Sequence, residues 1–396
     1  MLQAKEINGI LLISAPGRIE TQNAQEVEKD FRTIKEEHGN MPIAIDASKM
    51  EYISSVGLRL LLKFAKEQSG TKLTVQDVSP EVYEIFETTG FLQILDVKKR
   101  LREISVEGCE LIGSGGYGKV YRIDNETIAK LYTTEMSLEM IQKERNTAQK
   151  AFLMGVPTAI SYDVVKCGDD YGVVYELLKA KTVAQVLDSD SSRIQEMGEK
   201  SATLLKNLHA ITVEDNSLPN RKEEMLEWVE KIAPVLEESE AEEIRNFLQA
   251  IPERKQFLHG DFNSKNIMIQ GDEFLLIDIG DAAFGHPVFD LAGLLLAYIY
   301  LPRSPIPEDE KYRLLGFKLS DAGAMLNTML TTYFGLANPA EIGEWIQRLM
   351  PYANQLAAYH GCRRANYDKE YMKMIVEKVI RARLLPSIRT AKPLGW

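Results

Sequence analysis

The sequence predicts two units in tandem: a small α/β sheet domain, then an α+β unit with a β-rich first lobe and a helical second lobe. Three observations carry this. Over residues 1–101, short apolar strand-like runs alternate with amphipathic helical runs. From 105 to about 180, strand-like runs are separated by tight turns, with one helical run at 136–153. Beyond residue 182 the spacing of apolar residues is mostly helical, interrupted by a strand pair around Gly271.

Within the first block, "GILLISA" is a strand and "PGRI" a turn. "NAQEVEKDFRTIKEE" follows as an amphipathic helix and "MPIAIDA" as a buried strand. "SVGLRLLLKFAKEQ" is a helix and "TKLTVQDV" a strand. "SPEVYEIFETTG" is a helix that opens on Ser-Pro and stops at Gly90. The serines of "ISSVGLR", Ser54 and Ser55, stand where a helix needs an N-cap. The basic run 97–103 marks the junction, and no long flexible linker follows it.

Composition bounds the function. The 396 residues are 45% hydrophobic and 27% charged, with a net charge of −11, which argues against a general nucleic-acid or anionic-membrane binder. Cys109, Cys167 and Cys362 are odd in number and lack metal-ligand spacing. They are expected to be reduced thiols of a cytoplasmic protein. The N-terminal segment does not read as a signal peptide. The apolar stretch 291–301 is too short to span a bilayer and is expected to be a buried helix.

In the second block, "GSGGYGKV" sets Gly113, Gly115 and Gly118 in a G-x-G-x-x-G-x-V pattern. Dinucleotide-binding folds use similar glycine spacing, but a helix must follow directly. Here "KVYRID" alternates like a strand, so the loop belongs to a hairpin whose amides can cover nucleotide phosphates. Lys130 in "IAKLY" can reach those phosphates from the next strand, provided a carboxylate holds it. Glu144 is the preferred partner and Glu139 the alternative. The segment "FLHGDFNSKNIMIQGDEFLLIDIGD" then supplies Asp261 and Asn266 on a loop, a hairpin, and Asp278 at a strand end. Phosphoryl transfer needs one carboxylate to orient the attacking hydroxyl. It also needs hard oxygens, from an amide and a second carboxylate, to hold Mg²⁺.

With these residues in view, 105–396 resembles the protein-kinase-like superfamily, in its aminoglycoside phosphotransferase and choline kinase branch. The resemblance implies a bilobal kinase-like fold, with an N-lobe of about 105–178 and a C-lobe of about 183–396. It implies that Asp261 is the catalytic base and that Asn266 and Asp278 are metal ligands. His259 and Asp290 would support the catalytic loop, and the backbone near Glu176 and Leu178 would meet the adenine. ATP and Mg²⁺ are the implied cofactors. Protein kinases carry H-R-D where this chain has His259-Gly260-Asp261, and D-F-G where it has Asp278-Ile279-Gly280. Only about a dozen residues separate Asp278 from Asp290, too few for an activation loop and a peptide-docking segment. The expected acceptor is therefore a hydroxyl-bearing small molecule. Tyr298, Tyr300, Trp345, Tyr352 and Tyr359 are aromatic candidates for a cationic acceptor, although their helical spacing favours core positions.

"IDASKMEYISSVGLRLLL" resembles a STAS domain, the fold of anti-sigma factor antagonists, over about residues 5–98. The resemblance implies a protein partner of the anti-sigma factor kind and puts Ser55 at the phosphorylated position. Ser54 falls where an Asp commonly stands. The leading expectation is an ATP-dependent phosphotransferase with a regulatory or docking STAS domain. The alternatives are a signalling protein phosphorylated on Ser55 and a non-catalytic nucleotide sensor.

Overall fold

In the computed structural model the described residues are 2–7, 9–39, 41–68, 72–115, 118–133, 136–215 and 217–396. They divide into two compact units, Met1–Ile104 and Ser105–Trp396.

In the first unit, strands β1 (Gln3–Ile7), β2 (Ile10–Ser14), β3 (Ile43–Asp46), β4 (Thr74–Val78) and β5 (Asp96–Lys99) form one sheet in chain order. β1 and β2 are antiparallel and the later neighbours parallel. Parallel neighbours need crossovers, and helices α1 (Ala24–His38), α2 (Ser55–Glu67) and α3 (Pro80–Thr88) supply them. Leu11, Ile13, Ile45 and Val75 of the sheet are buried with Phe31, Leu61, Phe64 and Phe86 of the helices. The rings of Phe31 and Phe64 stack at 3.5 Å. The expected turn "PGRI" contains a two-residue strand, Arg18–Ile19, parallel to Tyr52–Ile53. This ladder runs so close to α2 that a Cβ on Gly57 would lie 2.7 Å from Ile53 Cγ1 and 2.9 Å from the Ile19 carbonyl.

The second unit opens with β6 (Glu110–Gly115), β7 (Gly118–Arg122) and β8 (Thr127–Tyr132). Helix α4 (Leu138–Leu153), β9 (Ser161–Cys167) and β10 (Asp170–Glu176) follow. These strands lie antiparallel in the order β9-β10-β8-β7-β6. Helices α5 (Ile194–Leu208) and α6 (Arg221–Ile232) lead into the hairpin β12–β13 (Ile267–Gln270, Glu273–Leu276). A separate short ladder pairs β11 (Gln256–Leu258) with β14 (Ala283–Gly285). Helix α7 (Val288–Leu295) continues the buried apolar run and passes into a π-helical turn, Leu296–Tyr300. The core of this part includes Leu205, Trp228, Phe257, Leu291, Leu295 and Phe317.

The basic segment 363–392 does not form a single helix. Arg363 and Arg364 end the preceding helix α8 (Pro339–Arg364). Asn366 and Tyr367 then adopt φ of 47° and 56°, left-handed values that a helix cannot continue through. Only afterwards does helical structure resume, from Lys369 to Arg389, with a π-helical stretch at Val376–Leu384. No helix among the described residues is long and apolar enough to cross a membrane.

Candidate active site

The glycine pattern spans the end of β6 and the start of β7. Gly113 and Gly115 lie on β6 and Gly118 opens β7, while residues 116 and 117 fall outside the described residues. A Cβ on Gly118 would sit 2.1 Å from the Leu131 carbonyl, so close approach to β8 excludes any side chain there.

Lys130 lies on β8, and Glu144 reaches it from α4. Lys130 Nζ donates to Glu144 Oε1 at 2.9 Å and to Asp278 Oδ1 at 2.9 Å. Burial works against the charged ammonium, but Asp278 and Glu144 outweigh it and raise its pKa. Glu139 lies exposed in the first turn of α4. The stem of Glu144 rests on Gly280, where a Cβ would come within 2.7 Å of Glu144 Cγ.

Asp261 and Asn266 belong to the loop before β12, and Asp278 follows β13. Pairing within the hairpin returns the chain to its start, where the Ile277 amide donates to the Asn266 carbonyl at 3.0 Å. Asp261 receives an amide on each oxygen: Asn263 Nδ2 on Oδ1 at 3.1 Å and Asn266 Nδ2 on Oδ2 at 2.9 Å. Desolvation raises the Asp261 carboxyl pKa, and the negative charges of Asp278 and Asp281 add to it, while His259 and Asn263 oppose. A base with a raised pKa holds a transferred proton more readily than a free carboxylate.

The loop is anchored from beneath. Asp290, on α7 and 2% exposed, accepts the His259 amide at 2.8 Å, the Gly260 amide at 2.8 Å and His209 Nε2 at 3.1 Å. Burial would raise its pKa, but the bond from His209 and the Gly260 amide help to hold it below the usual carboxylate range. His259 is buried, and its Nδ1 accepts the Asp261 amide at 3.2 Å. Gly260, at φ +85°, has no room for the arginine of H-R-D. A Cβ there would lie 2.2 Å from the Asp281 carbonyl and 2.8 Å from the guanidinium of Arg221.

The residues fit a hard cation. Asn266 spends its amide nitrogen on Asp261, which leaves its oxygen for another partner, and Asp278 presents a half-exposed carboxylate. An amide oxygen and a carboxylate suit Mg²⁺, which keeps water and phosphate oxygens among its ligands. Among the described residues no group of three or more His, Cys, Asp or Glu forms an all-protein cage. In the run expected at the adenine, the Glu176 and Leu177 amides donate to Ile160 and Glu126 carbonyls. Leu178 is left as the residue whose amide makes no backbone bond among the described residues.

Of the aromatic candidates, Tyr298, Tyr352 and Tyr359 are core residues, and Trp345 stacks on Phe334 at 3.6 Å. Three features escaped the sequence reading. The Tyr298 hydroxyl meets the Ser264 amide at 3.0 Å and its hydroxyl at 2.6 Å. Asp281 is flanked by Arg363, 2.9 Å from its carboxylate, and by Arg221, which donates to its carbonyl. Burial works against the Asp281 charge, but the two arginines hold its pKa low. The third is Tyr132, which donates to Glu144 Oε1 at 2.6 Å. The first two pair residues far apart in sequence, and nothing in the local pattern marks them.

In the first unit the cap falls on one serine only. Ser54 is the N-cap of α2 and its hydroxyl accepts the Gly57 amide at 3.4 Å, while Ser55 is the exposed first residue of the helix.

Residues 108–323, more than half of the chain, match the model of the phosphotransferase enzyme family (APH), and residues 1–104 match that of the STAS domain. The chain belongs to the phosphotransferase enzyme family and carries a STAS domain. The STAS part is 33% identical over 98 residues to a putative anti-sigma factor antagonist, BtrV, of Bordetella bronchiseptica. That match covers 24% of this chain and 84% of the relative. Among solved structures, the gentamicin complex of APH(2")-IIa is 18% identical. The similarity covers 70% of this chain and 92% of that one, with a TM-score of 0.46. A choline/ethanolamine kinase family protein from Mesorhizobium loti is 17% identical, covering 72% and 92%, with a TM-score of 0.42.

Proposed function

We propose that this protein uses Mg-ATP to transfer the γ-phosphoryl group to a hydroxyl of a small molecule, with its STAS domain in a regulatory or docking role. The kinase unit is assigned to 105–396, with lobes of about 105–178 and 183–396, and the STAS unit to 1–101. The observation that carries the reading is the convergence on Lys130: Glu144 and Asp278 both hold its ammonium, while the Ile277–Asn266 bond keeps Asn266 beside Asp278. Lys130 and the amides of the glycine loop would bind the phosphates, and the Leu178 region would meet the adenine. Mg²⁺, held by Asn266 and Asp278, would neutralise phosphate charge when bound. Asp261 would orient the acceptor hydroxyl and take its proton. The segment between Asp278 and Asp290 favours a small acceptor. It is taken up by a 3-10 turn at Ile279–Asp281, β14 and the start of α7, which leaves no peptide-docking loop.

For the STAS unit, we infer a protein partner whose binding is governed by phosphate on Ser55. Ser55 is exposed, and Ser54 already serves as the cap. A phosphate of charge −1.5 to −2 at a helix N-terminus is tolerated by the helix, so its effect would fall on the interface.

A screen of hydroxyl-bearing metabolites for acceptor-dependent ADP release tests the enzyme reading. Turnover abolished by Asp261→Asn supports it, and turnover that persists in that variant contradicts it. Intact-mass measurement after incubation with Mg-ATP tests whether this chain's own kinase unit writes phosphate on Ser55.

A further inference from the structure

Lys130 and Tyr132 are two residues apart on β8 and therefore share one face of the strand. Both reach the same oxygen of Glu144: Lys130 Nζ at 2.9 Å and the Tyr132 hydroxyl at 2.6 Å. Tyr132 is only 3% exposed, and its ring also lies against the lysine, with Nζ 5.1 Å from the ring centroid. Tyr175, near the end of β10, packs against the cluster of Tyr132, Ile141 and Val173.

A glutamate on a helix facing a strand lysine has several rotamers. Here Gly280 confines its stem and the Tyr132 hydroxyl confines its head. A neutral donor fixes the carboxylate without neutralising the charge that Lys130 needs. The demand is sharpest on nucleotide binding. Lys130 is shared between Glu144 and Asp278, and a cation held by Asp278 would compete with the ammonium for that carboxylate. Glu144 is the carboxylate partner outside that competition.

We propose that Tyr132 is a positioning residue for phosphate binding: its hydroxyl holds Glu144, and its ring supports Lys130, so that the ammonium stays aimed at the nucleotide phosphates. This rests on the Mg-ATP reading above.

The test is displacement of a fluorescent ATP analogue from the full-length chain by Mg-ATP and by adenosine, for wild type, Tyr132→Phe, Glu144→Gln and the double variant. Phe keeps the ring and removes the hydroxyl. Loss of one hydrogen bond to a charged group should weaken Mg-ATP about tenfold in Tyr132→Phe, with adenosine changed less than about twofold. In the Glu144→Gln background the same substitution should add little, because its target charge is gone. Unchanged Mg-ATP affinity in Tyr132→Phe would overturn the proposal. So would equal weakening of ATP and adenosine, the signature of a merely loosened lobe. Wild-type protein that binds no nucleotide would instead defeat the Mg-ATP reading beneath it.

Discussion

Replacing Asp290 by Asn tests the anchoring of the catalytic loop. One Asp290 oxygen accepts the His259 amide and His209 Nε2, and the other accepts the Gly260 amide. An Asn best keeps its single oxygen where two donors converge. Its NH₂ then faces the Gly260 N–H, and that partly buried donor loses its acceptor at a cost of about 1–3 kcal/mol. The two remaining bonds fall from charge-assisted to neutral, roughly 1 kcal/mol each. The expected loss is about 3–5 kcal/mol, which for a unit of this size lowers the melting temperature by about 6–20 °C. Differential scanning calorimetry reads this directly, with Asp290→Asn measured beside wild type. A shift below about 2 °C would refute the reasoning, because the carboxylate would then not be carrying three donors.

Other consequences are equally direct. Ser54→Ala should destabilise the STAS unit by about 0.5–2 kcal/mol, while Ser55→Ala should stay within about 0.5 kcal/mol; urea titrations showing the reverse order would move the cap to Ser55. Gly280→Ala forces a Cβ within 2.7 Å of Glu144 Cγ, so Mg-ATP affinity in a binding titration should fall about tenfold as Lys130 loses a charged partner. Burial pulls the pKa of His286 down to about 4. Its neutral ring accepts the Val288 amide and donates to the Trp396 carbonyl. Since the folded value lies below the ordinary 6.5, the stability it contributes is fully present above that pH. It is lost as pH falls from 6.5 towards about 4. Urea unfolding at pH 7 and 4.5 should show a loss smaller by about 2–3 kcal/mol in His286→Asn than in wild type; an equal loss in both would count against a neutral buried ring.

What could be read from the sequence was what short segments carry by themselves. Alternation of strands and helices marks the first unit, because each element must bury one face. The run from Phe257 to Asp281 displays its carboxylates and amide at intervals that a loop and a hairpin can bring together. Residues whose contacts arise only in the fold were not legible. Tyr298 looks like an aromatic on a buried helix, yet it lies on the π-helical turn and hydrogen-bonds Ser264, 34 residues earlier. Tyr132 looks like an ordinary strand residue until α4 brings Glu144 against it. The choice between Ser54 and Ser55 as cap turned on where α2 begins, a detail of one residue that periodicity does not resolve. The break at Asn366 and Tyr367 was hidden because neither glycine nor proline marks it.

Calorimetric titration of the full-length chain with ATP, with and without Mg²⁺, tests the central claim most directly. The account predicts binding that strengthens with Mg²⁺, that is lost in Lys130→Ala, and that no longer responds to Mg²⁺ in Asp278→Ala. Absence of binding at millimolar Mg-ATP, or binding indifferent to both substitutions, would contradict it.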